Sequence, residues 1–327
     1  MAAETKCGIC AVIGAPNAGK STLVNALVGA KISIVTPKVQ TTRFRIRGIA
    51  MQGETQIIFV DTPGIFTPRR RLDEAMVAAA WAGAHDADAI VLVVDAALES
   101  KEPGGIAARD TNRIIEGLKA AKAKAILALN KIDGMKRTDL LALVERFNAA
   151  GVFSDVFMIS AKKGDRLPDL MKAIVARMPA GPFLYPPDQV ADISQRLIAA
   201  EITREKIYLR LHDELPYAST VETTDWSTKK DGSARIEQSI YVEREGQKAI
   251  VIGKGGQTLK EIGEKARKEM EESFGHPVHL FLHVKVREGW AEDSARLREL
   301  GLELPKSAKR KPPTPNPSPR RGRGSGI

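Results

Sequence analysis

Short apolar runs alternate with amphipathic helical patterns from Cys7 to about Met178. The runs CGICAVIG, TQIIFVD, DAIVLVVD, AKAILALN and VFMIS each have the character of a buried strand. Each is followed by a segment whose apolar residues recur at helical spacing. This alternation is typical of an open, mostly parallel α/β sheet with helices on both faces. We therefore expect a ligand to bind at the carboxyl ends of the strands.

The pattern changes at PAGPFLYPPDQ, whose prolines and glycines predict a linker at residues 179–189. The α/β domain then covers residues 1–178. After the linker, a helix, two strands, a helix pair and a third strand predict a smaller α+β domain over residues 190–304. The remaining segment, residues 305–327, is rich in Pro, Gly, Ser and Arg and cannot form a core, so we expect a disordered basic tail.

The formal net charge of +10 owes much to this tail, which contains seven basic residues and no acidic ones. The α+β domain before it carries more acidic than basic residues. That domain therefore cannot hold a polyanion by bulk attraction, and any such contact must be local. The tail itself could add salt-sensitive attraction to RNA or to anionic lipid.

Two groups of residues that resemble metal sites do not predict one. Cys7 and Cys10 lie in a buried strand, and there is no second cysteine pair to complete a zinc site. His276, His279 and His283 belong to a strand with alternating faces, a pattern that a half-buried sheet requires without any metal.

The segment from Gly14 to Ser21 matches the pattern GxxxxGK[ST] and lies between a strand and a helix. In this motif, backbone amides approach phosphate oxygens, Lys20 reaches the β- and γ-phosphates, and the Ser21 hydroxyl ligates magnesium. Alone, the motif indicates only a nucleoside triphosphate. The predicted phosphate-binding residues are Gly14, Ala15, Pro16, Asn17, Ala18, Gly19, Lys20, Ser21 and Thr22.

Two further segments predict how the γ-phosphate is sensed. DTPG ends the strand TQIIFVD, so the Asp61 carboxylate can hold the magnesium shell and the Gly64 amide can contact the γ-phosphate. The polar, Thr-rich segment VQTTRFRIRG is suitable for a mobile switch in which Thr42 binds magnesium only when the γ-phosphate is present. The expected metal ligands are Ser21, Thr42 and Asp61, and the expected catalytic residues are Lys20, Thr42 and Gly64.

The sequence NKID, which ends the strand AKAILALN, predicts recognition of guanine. The Asp133 carboxylate can accept hydrogen bonds from N1 and the exocyclic amine of guanine, which adenine does not offer. The loop SAK after VFMIS then completes a base-binding site. All these motifs fall at strand ends in one register, which is a highly specific signal for GTP. The remaining predicted nucleotide-binding residues are Asp61, Thr62, Pro63, Gly64, Ile65, Asn130, Lys131, Ile132, Asp133, Ser160, Ala161 and Lys162.

In the second domain, the sequence GKGG lies between two predicted helices. A GxxG turn lets the backbone approach a single-stranded nucleic acid closely, as in KH domains. The same pattern occurs in ordinary helix–helix turns, but a predicted hairpin around TKKDGS and the strand HPVHLFLHVKVRE supply the other elements of a KH domain. The predicted RNA-binding residues are Lys248, Gly253, Lys254, Gly255, Gly256 and Lys260.

The motifs GAPNAGKSTLVNALVG, KVQTTRFRIRGI, DTPGI, NKID and SAKKG resemble those of the Era family of bacterial ribosome-assembly GTPases, in the wider group with TrmE and EngA. The similarity covers residues 5–304 and includes the closing helix EGWAEDSARLRELGL. It implies a P-loop GTPase domain with Mg²⁺, followed by a KH-like domain that binds the 3′ end of 16S rRNA in the small ribosomal subunit. Ile65 replaces the glutamine of Ras-like proteins. Asn17 matches an asparagine that holds K⁺ in this group, so K⁺ is a second expected cofactor.

The leading hypothesis is a switch in which GTP and GDP states alter how the KH-like domain engages RNA. Two alternatives stay open: an RNA-binding chaperone that uses slow hydrolysis only for release, and a membrane-associated signalling GTPase whose tail binds anionic lipid. We expect a monomer without a DNA partner. We expect it in the cytoplasm, with weak peripheral attachment to the inner face of the cell membrane as the second possibility.

Overall fold

The computed structural model describes residues 5–39, 41–68, 71–212 and 215–290. The strands of its first unit are β1 (Lys6–Ile13), β2 (Ile46–Gln52), β3 (Thr55–Asp61), β4 (Ala89–Asp95), β5 (Ala125–Asn130) and β6 (Phe153–Met158). The helices are α1 (Lys20–Val28), α2 (Arg71–His85), α3 (Ala96–Lys101), α4 (Ile106–Ala120), α5 (Arg137–Asn148) and α6 (Leu167–Val175). The strand order is β2-β3-β1-β4-β5-β6, with only β2 antiparallel to its neighbour. The predicted mostly parallel α/β sheet is confirmed.

Apolar side chains of the central strands fill both faces of this sheet. Val12 and Phe59 pack with Met76 of α2 on one face. Ile13 and Leu92 belong to the core on the other face. Because these strands are buried on both sides, they read as continuous apolar runs in the sequence. The sheet is therefore a rigid base for the loops at its carboxyl edge.

Two elements of the first unit are not among those predicted from the sequence. The segment VQTTRFRIRG was interpreted as a mobile switch, but its last residues enter β2, which pairs with β3 from Ile46 opposite Asp61 onward. The short helix α3 follows β4 directly and is capped by Asp95, whose carboxylate accepts a hydrogen bond of 3.0 Å from the Leu98 amide. Strand β2 depends on its pairing with β3, and helix α3 depends on its cap at the end of β4, so neither is evident from its own residue pattern.

The segment predicted as a linker, residues 179–189, is hydrogen-bonded to the first unit. The Pro179 carbonyl accepts from the Cys7 amide at 3.1 Å, and the side-chain oxygen of Gln56 accepts from the amides of Leu184 and Tyr185 at 2.8 and 3.0 Å. Gln56 is fully buried beneath this segment. The chain therefore follows the sheet before it enters the second unit.

The second unit is a three-stranded sheet packed on helices. Its elements are α7 (Gln195–Arg210), β7 (Ser219–Thr228), β8 (Ala234–Val242), α8 (Glu245–Ile252), α9 (Gln257–Phe274) and β9 (Val278–Val286). Strands β7 and β8 form the predicted hairpin, and β9 lies parallel to β8. In β9, the exposed residues His279, Phe281 and His283 alternate with half-buried aliphatic residues, as the sequence pattern predicts.

Two of the predicted segments lie outside the described residues. The predicted closing helix lies, from residue 291 onward, outside the described residues, and so does the tail of residues 305–327.

Across the described ranges no helix combines the length and apolar character needed to cross a bilayer. No cluster of three or more His, Cys, Asp or Glu in those ranges could hold a metal ion. Cys7 and Cys10 are buried free thiols, and burial raises the pKa of Cys10 to about 12.

Candidate functional site

A cleft of 610 Å³ opens at the carboxyl edge of the first sheet. The turn between β1 and α1 forms its floor, and the segment of residues 34–37 with Thr41 and Thr42 forms one wall. The structure therefore brings nine of the 21 predicted nucleotide-binding residues, together with Thr42, to one cleft. The predicted residues that line this cleft are Pro16, Asn17, Gly19, Lys20, Ser21, Thr22, Thr42, Gly64, Lys131 and Lys162.

The glycine-rich turn curls around the Lys20 side chain. The Lys20 ammonium donates to the carbonyls of Gly14 and Ala15 at 3.1 and 2.9 Å. Burial lowers the pKa of Lys20 to about 8, and the nearby Asp61 carboxylate opposes this effect. Gly19 has a φ of 96°, and a Cβ atom there would lie 2.3 Å from the Asn130 side-chain nitrogen. Only glycine therefore fits at this point of the turn.

The three oxygens predicted to surround magnesium converge below this turn. Ser21 Oγ lies 2.7 Å from Asp61 Oδ2 and 2.8 Å from Thr42 Oγ1, and Thr42 Oγ1 lies 3.4 Å from the same carboxylate oxygen. Asp61 is fully buried, and this burial raises its pKa. Its other oxygen, Oδ1, is buried with no hydrogen-bond partner in the described structure. A buried, incompletely paired carboxylate with two hydroxyls is suitable for a hard cation.

The predicted base-binding loops are held together by Asn130. Its side-chain nitrogen donates to the Ala18 carbonyl at 2.9 Å, and its side-chain oxygen accepts from the Ala161 amide at 2.9 Å. The Ser160 hydroxyl donates to Asp133 Oδ1 at 2.8 Å and, as the largest cause, lowers the pKa of Asp133. Asp133 is therefore ionised at neutral pH and can accept hydrogen bonds from guanine.

Asp95 is a site residue that the motif analysis did not identify. It lines the cleft, and its Oδ2 accepts a hydrogen bond of 2.7 Å from the Lys131 ammonium. The same ammonium donates to the backbone oxygen of Asn17 at 2.7 Å. Asp95 lies directly opposite Asn130 in the register of β4 and β5. Its position as the last residue of the strand DAIVLVVD is the signal that could have identified it.

Some predicted nucleotide-binding residues direct their side chains away from the cleft. Ile65 is fully buried in the core, and its amide donates to the Gly14 carbonyl at 3.1 Å. The Thr62 hydroxyl donates to the Val12 carbonyl at 2.8 Å and is also fully buried. Ala18 packs in the core of the opposite face of the sheet. These residues shape the loops through their backbone and packing.

In the second unit, the GKGG sequence forms a tight turn between α8 and α9, as predicted. Gly253 has a φ of 74°, and a Cβ atom there would lie 2.2 Å from Thr258 Oγ1. Gly255 and Gly256 also have left-handed backbone conformations. Lys254 is exposed at the tip of the turn. The turn therefore requires glycine, and its backbone is exposed to solvent.

A groove of 390 Å³ lies beside this turn, between α9 and β9. Leu259 and Leu282 contribute apolar surface to it, and Lys260 lies at its edge. Lys260 is 3.9 Å from Glu264, and Lys248 is 3.6 Å from Glu245. Exposed pairs of this kind contribute little to stability. Both lysines remain accessible to a phosphate, but each has a carboxylate neighbour.

Comparisons with known proteins agree with this arrangement. A family model described as "50S ribosome-binding GTPase" matches residues 9–131, and a model described as "KH domain" matches residues 214–291. The GTPase Era of Caulobacter vibrioides is 61% identical over 308 residues, which cover 92% of this chain and 98% of the relative. The chain belongs to the Era family of GTPases. It is therefore a P-loop GTPase with a C-terminal KH domain.

Era proteins of other bacteria support this assignment. The Era of Rhizobium meliloti is 55% identical over 305 residues, and these cover 93% of this chain and 95% of the relative. Two solved Era structures are each 37% identical, cover 92% of this chain and have a TM-score of 0.84. One is a variant of Aquifex aeolicus Era bound to GDP and aluminium fluoride, and the other is a complex of Era with MgGDPNP and nucleotides 1506–1542 of 16S ribosomal RNA.

Proposed function

We propose that this Era-family GTPase hydrolyses GTP in the cleft of the first unit and uses the nucleotide state to control how its KH domain binds ribosomal RNA. The observation that carries the proposal is the convergence of the oxygens of Ser21, Thr42 and Asp61 beside Lys20. Thr42 belongs to the segment expected to respond to the γ-phosphate, so its contact with the other two residues supports a switch.

The donor set fits a magnesium ion. Ser21 and Thr42 would hold it through their hydroxyls. Asp61 would hold it through a water molecule, which would donate a hydrogen bond to the unpaired Oδ1. When bound, the ion would neutralise charge that develops on the β- and γ-phosphates. The solved Era complex with MgGDPNP supports this cofactor.

The chain's own residues supply the rest of the chemistry. Lys20 directs a buried positive charge to the phosphate turn, and the Gly64 amide lies at the cleft, where it can donate to the γ-phosphate. Ile65 cannot orient the attacking water, because its side chain is apolar and lies in the core. Intrinsic hydrolysis should therefore be slow.

Potassium is a second proposed cofactor. The Asn17 side-chain nitrogen donates to the Pro37 carbonyl at 2.8 Å, so this side chain lies between the phosphate turn and the switch segment. A monovalent cation held there would add positive charge close to the bond that breaks. This position supports the proposal that K⁺ accelerates hydrolysis.

The proposed RNA partner is the 3′ end of 16S rRNA in the small ribosomal subunit. Two observations support it: the glycine-rich turn beside an apolar groove in the KH domain, and the similarity over 92% of this chain to an Era protein solved with this RNA. The family model named for the 50S particle covers only residues 9–131, so its name concerns the GTPase part alone. The residues proposed to contact RNA are Lys248, Gly253, Lys254, Gly255, Gly256 and Lys260.

We further propose that the protein acts as a cytoplasmic monomer with GTPase, linker, KH and tail segments at 1–178, 179–189, 190–304 and 305–327. The alternative of a membrane-associated signalling GTPase depends on the tail, which lies outside the described residues. If the protein acts in the cytoplasm as proposed, vesicles of phosphatidylglycerol should retain the full chain at physiological salt no better than neutral vesicles. If they do retain it, a chain without residues 305–327 will identify whether the tail is responsible.

The decisive experiment is binding of a 16S rRNA 3′-end fragment to the full chain with GDPNP, with GDP and without nucleotide. We expect tighter binding with GDPNP than with GDP, and weaker binding of a scrambled RNA of equal composition. RNA affinity that is equal in all three nucleotide states would refute the switch and favour the chaperone alternative.

A further inference from the structure

The switch segment, residues 31–39 and 41–43, includes the wall of the nucleotide cleft and also lies against the KH domain. Glu205 of α7 accepts a hydrogen bond of 2.9 Å from the Val35 amide and pairs with Lys31 at 2.9 Å. The Lys38 ammonium donates to the Leu211 carbonyl at the end of α7. The switch segment is therefore held from both sides, by the phosphate turn of one unit and by a helix of the other.

Arg43 makes the most extensive of these contacts. Only 4% of its surface is exposed, although arginine is normally a surface residue. Its guanidinium donates to the Ser219 carbonyl at 2.8 Å, to the Tyr208 hydroxyl at 3.0 Å and to the carbonyls of residues 216 and 217 at 3.3 and 3.2 Å. It also lies over the Trp290 ring, 5.3 Å from its centre. All these partners belong to the KH side of the molecule.

Thr42 lies between two such contacts. On one side, the Thr41 carbonyl accepts a hydrogen bond from Arg204 of α7, which is itself buried and paired with Glu201 at 2.7 Å. On the other side, Arg43 enters the KH domain. The Thr42 hydroxyl points the opposite way, to Ser21. The backbone on both sides of the proposed magnesium ligand is thus fixed by the second domain.

Buried guanidinium groups need their full set of acceptors, because an unpaired charge in the interior is strongly unfavourable. Arg43 therefore cannot leave its pocket by a small displacement without losing several hydrogen bonds together. We therefore expect its attachment to be either docked or released, rather than continuously variable. This is the property that a coupling element requires.

We propose that Arg43 is a positioning residue through which the KH domain holds Thr42 at the magnesium site, so that domain docking and γ-phosphate binding stabilise each other. The inference rests on the proposed function, because it assigns the residue that couples the nucleotide site to the KH domain. Coupling between two binding events is reciprocal: if the docked domain favours the GTP state, GTP favours the docked domain by the same factor.

The test compares the full-length protein with its Arg43→Gln variant. We expect the ratio of GDPNP affinity to GDP affinity to fall by about 5-fold or more, within the usual range of allosteric coupling. Single-turnover hydrolysis at saturating GTP should fall with it, because Thr42 is no longer held in place. GDP affinity should change by less than about twofold, since Thr42 has no γ-phosphate-dependent role in that state. A purely structural role would weaken both nucleotides together and leave the ratio unchanged.

Two further variants keep the proposal testable if Arg43→Gln does not fold. Tyr208→Phe removes one acceptor of Arg43 and keeps the ring, so a smaller fall in the same ratio is expected. Arg43→Lys keeps a buried cation and should recover part of the ratio. Arg47→Gln is the matched control: Arg47 lies on β2 close by, but its side chain is 50% exposed and pairs with Asp192 on the surface. That variant should retain the ratio of the unmodified protein.

RNA binding separates failure of this inference from failure of the proposed function. If the unmodified protein binds the 16S fragment more tightly with GDPNP than with GDP, the proposed function stands. Loss of that difference in Arg43→Gln, with binding retained, then supports Arg43 as the coupling residue. An unchanged affinity ratio and an unchanged RNA difference in both Arg43→Gln and Tyr208→Phe would overturn the inference alone.

Discussion

The Lys131 ammonium lies 2.7 Å from Asp95 Oδ2 and 2.7 Å from the backbone oxygen of Asn17. One carboxylate oxygen of Asp95 thus orients the lysine of the NKID loop, while the other caps α3 by accepting from the Leu98 amide. Asp95 therefore connects the base-binding loop, the phosphate turn and a helix that contributes Leu98 to the cleft wall.

We expect Asp95→Asn to accelerate dissociation of GDP about fivefold, equivalent to ~1 kcal/mol for a partly exposed charged hydrogen bond. The asparagine oxygen can still cap α3, whereas its amide nitrogen cannot accept from Lys131. Dissociation of a fluorescent GDP analogue, followed by stopped flow, measures the effect. Asp86→Asn, at an exposed aspartate beside His85, is the matched control. An unchanged rate would show that Lys131 is positioned by other groups.

The specificity loop is tested by Asp133→Asn. This change replaces the acceptor that reads the exocyclic amine of guanine with a group that can donate to a carbonyl oxygen. We therefore expect weaker GTP binding and improved binding of xanthosine triphosphate. Competition of the two nucleotides against labelled GDP measures both effects. GTP affinity equal to that of the unmodified protein would contradict the assignment of Asp133.

The KH turn is tested by the double variant Lys254→Asp with Gly255→Asp. Two carboxylates at the tip of the turn should repel phosphate at close range and abolish binding of single-stranded RNA, while GTP binding is unchanged. Filter binding of the 16S fragment at physiological salt measures the loss. RNA affinity that survives the change would mean that the turn has only a structural role.

A matched control for this variant exists in the same domain. Lys230→Asp with Gly232→Asp places the same charges at the hairpin tip between β7 and β8. Gly232, like Gly255, has a left-handed backbone with open space around its Cβ position. The backbone cost of the two variants is therefore comparable. Only the variant in the GKGG turn should lose RNA.

The proposed potassium site predicts a difference between monovalent salts. At equal ionic strength, hydrolysis should be faster in KCl than in NaCl, and Asn17→Ala should remove the difference without abolishing GTP binding. Phosphate release measured in both salts, with and without RNA, provides the comparison. Equal rates of the unmodified protein in both salts would exclude this role of potassium, leaving Lys20 and the proposed magnesium ion as the charge stabilisers.

Much of the site could be predicted because its residues lie at strand ends. Asp61, Asn130 and Ser160 each follow or end an apolar run, and the parallel sheet brings such ends to one edge. The local sequence therefore shows both which functional side chain is present and at which edge of the sheet it lies. The same logic applies to Asp95, which also ends a strand but belongs to no short motif.

The features that the sequence did not reveal depend on contacts between distant segments. Strand β2 contains the charged residue Arg47 and is stabilised as a strand by its pairing with β3. Arg43 looks like one of several basic residues in a polar segment, but its acceptors lie more than 160 residues away in the chain. The pattern of polar and apolar residues around Arg43 gives no information about such distant acceptors. The burial of this arginine could therefore be found only from the fold.

The hydrogen bonds of the residues that follow the linker set a limit on how far the two domains can separate. The Ile49 amide donates to the Val190 carbonyl, and the Asp192 amide donates to the Arg47 carbonyl at 3.0 Å. Only Ile193 and Ser194 lie between Asp192 and Gln195, the first residue of α7, and the three residue-to-residue steps span about 10 Å when fully extended. While these hydrogen bonds persist, the start of α7 must stay close to β2. Release of Arg43 together with the other contacts between the switch segment and α7 would let the KH domain swing about β2 and remain close enough to dock again.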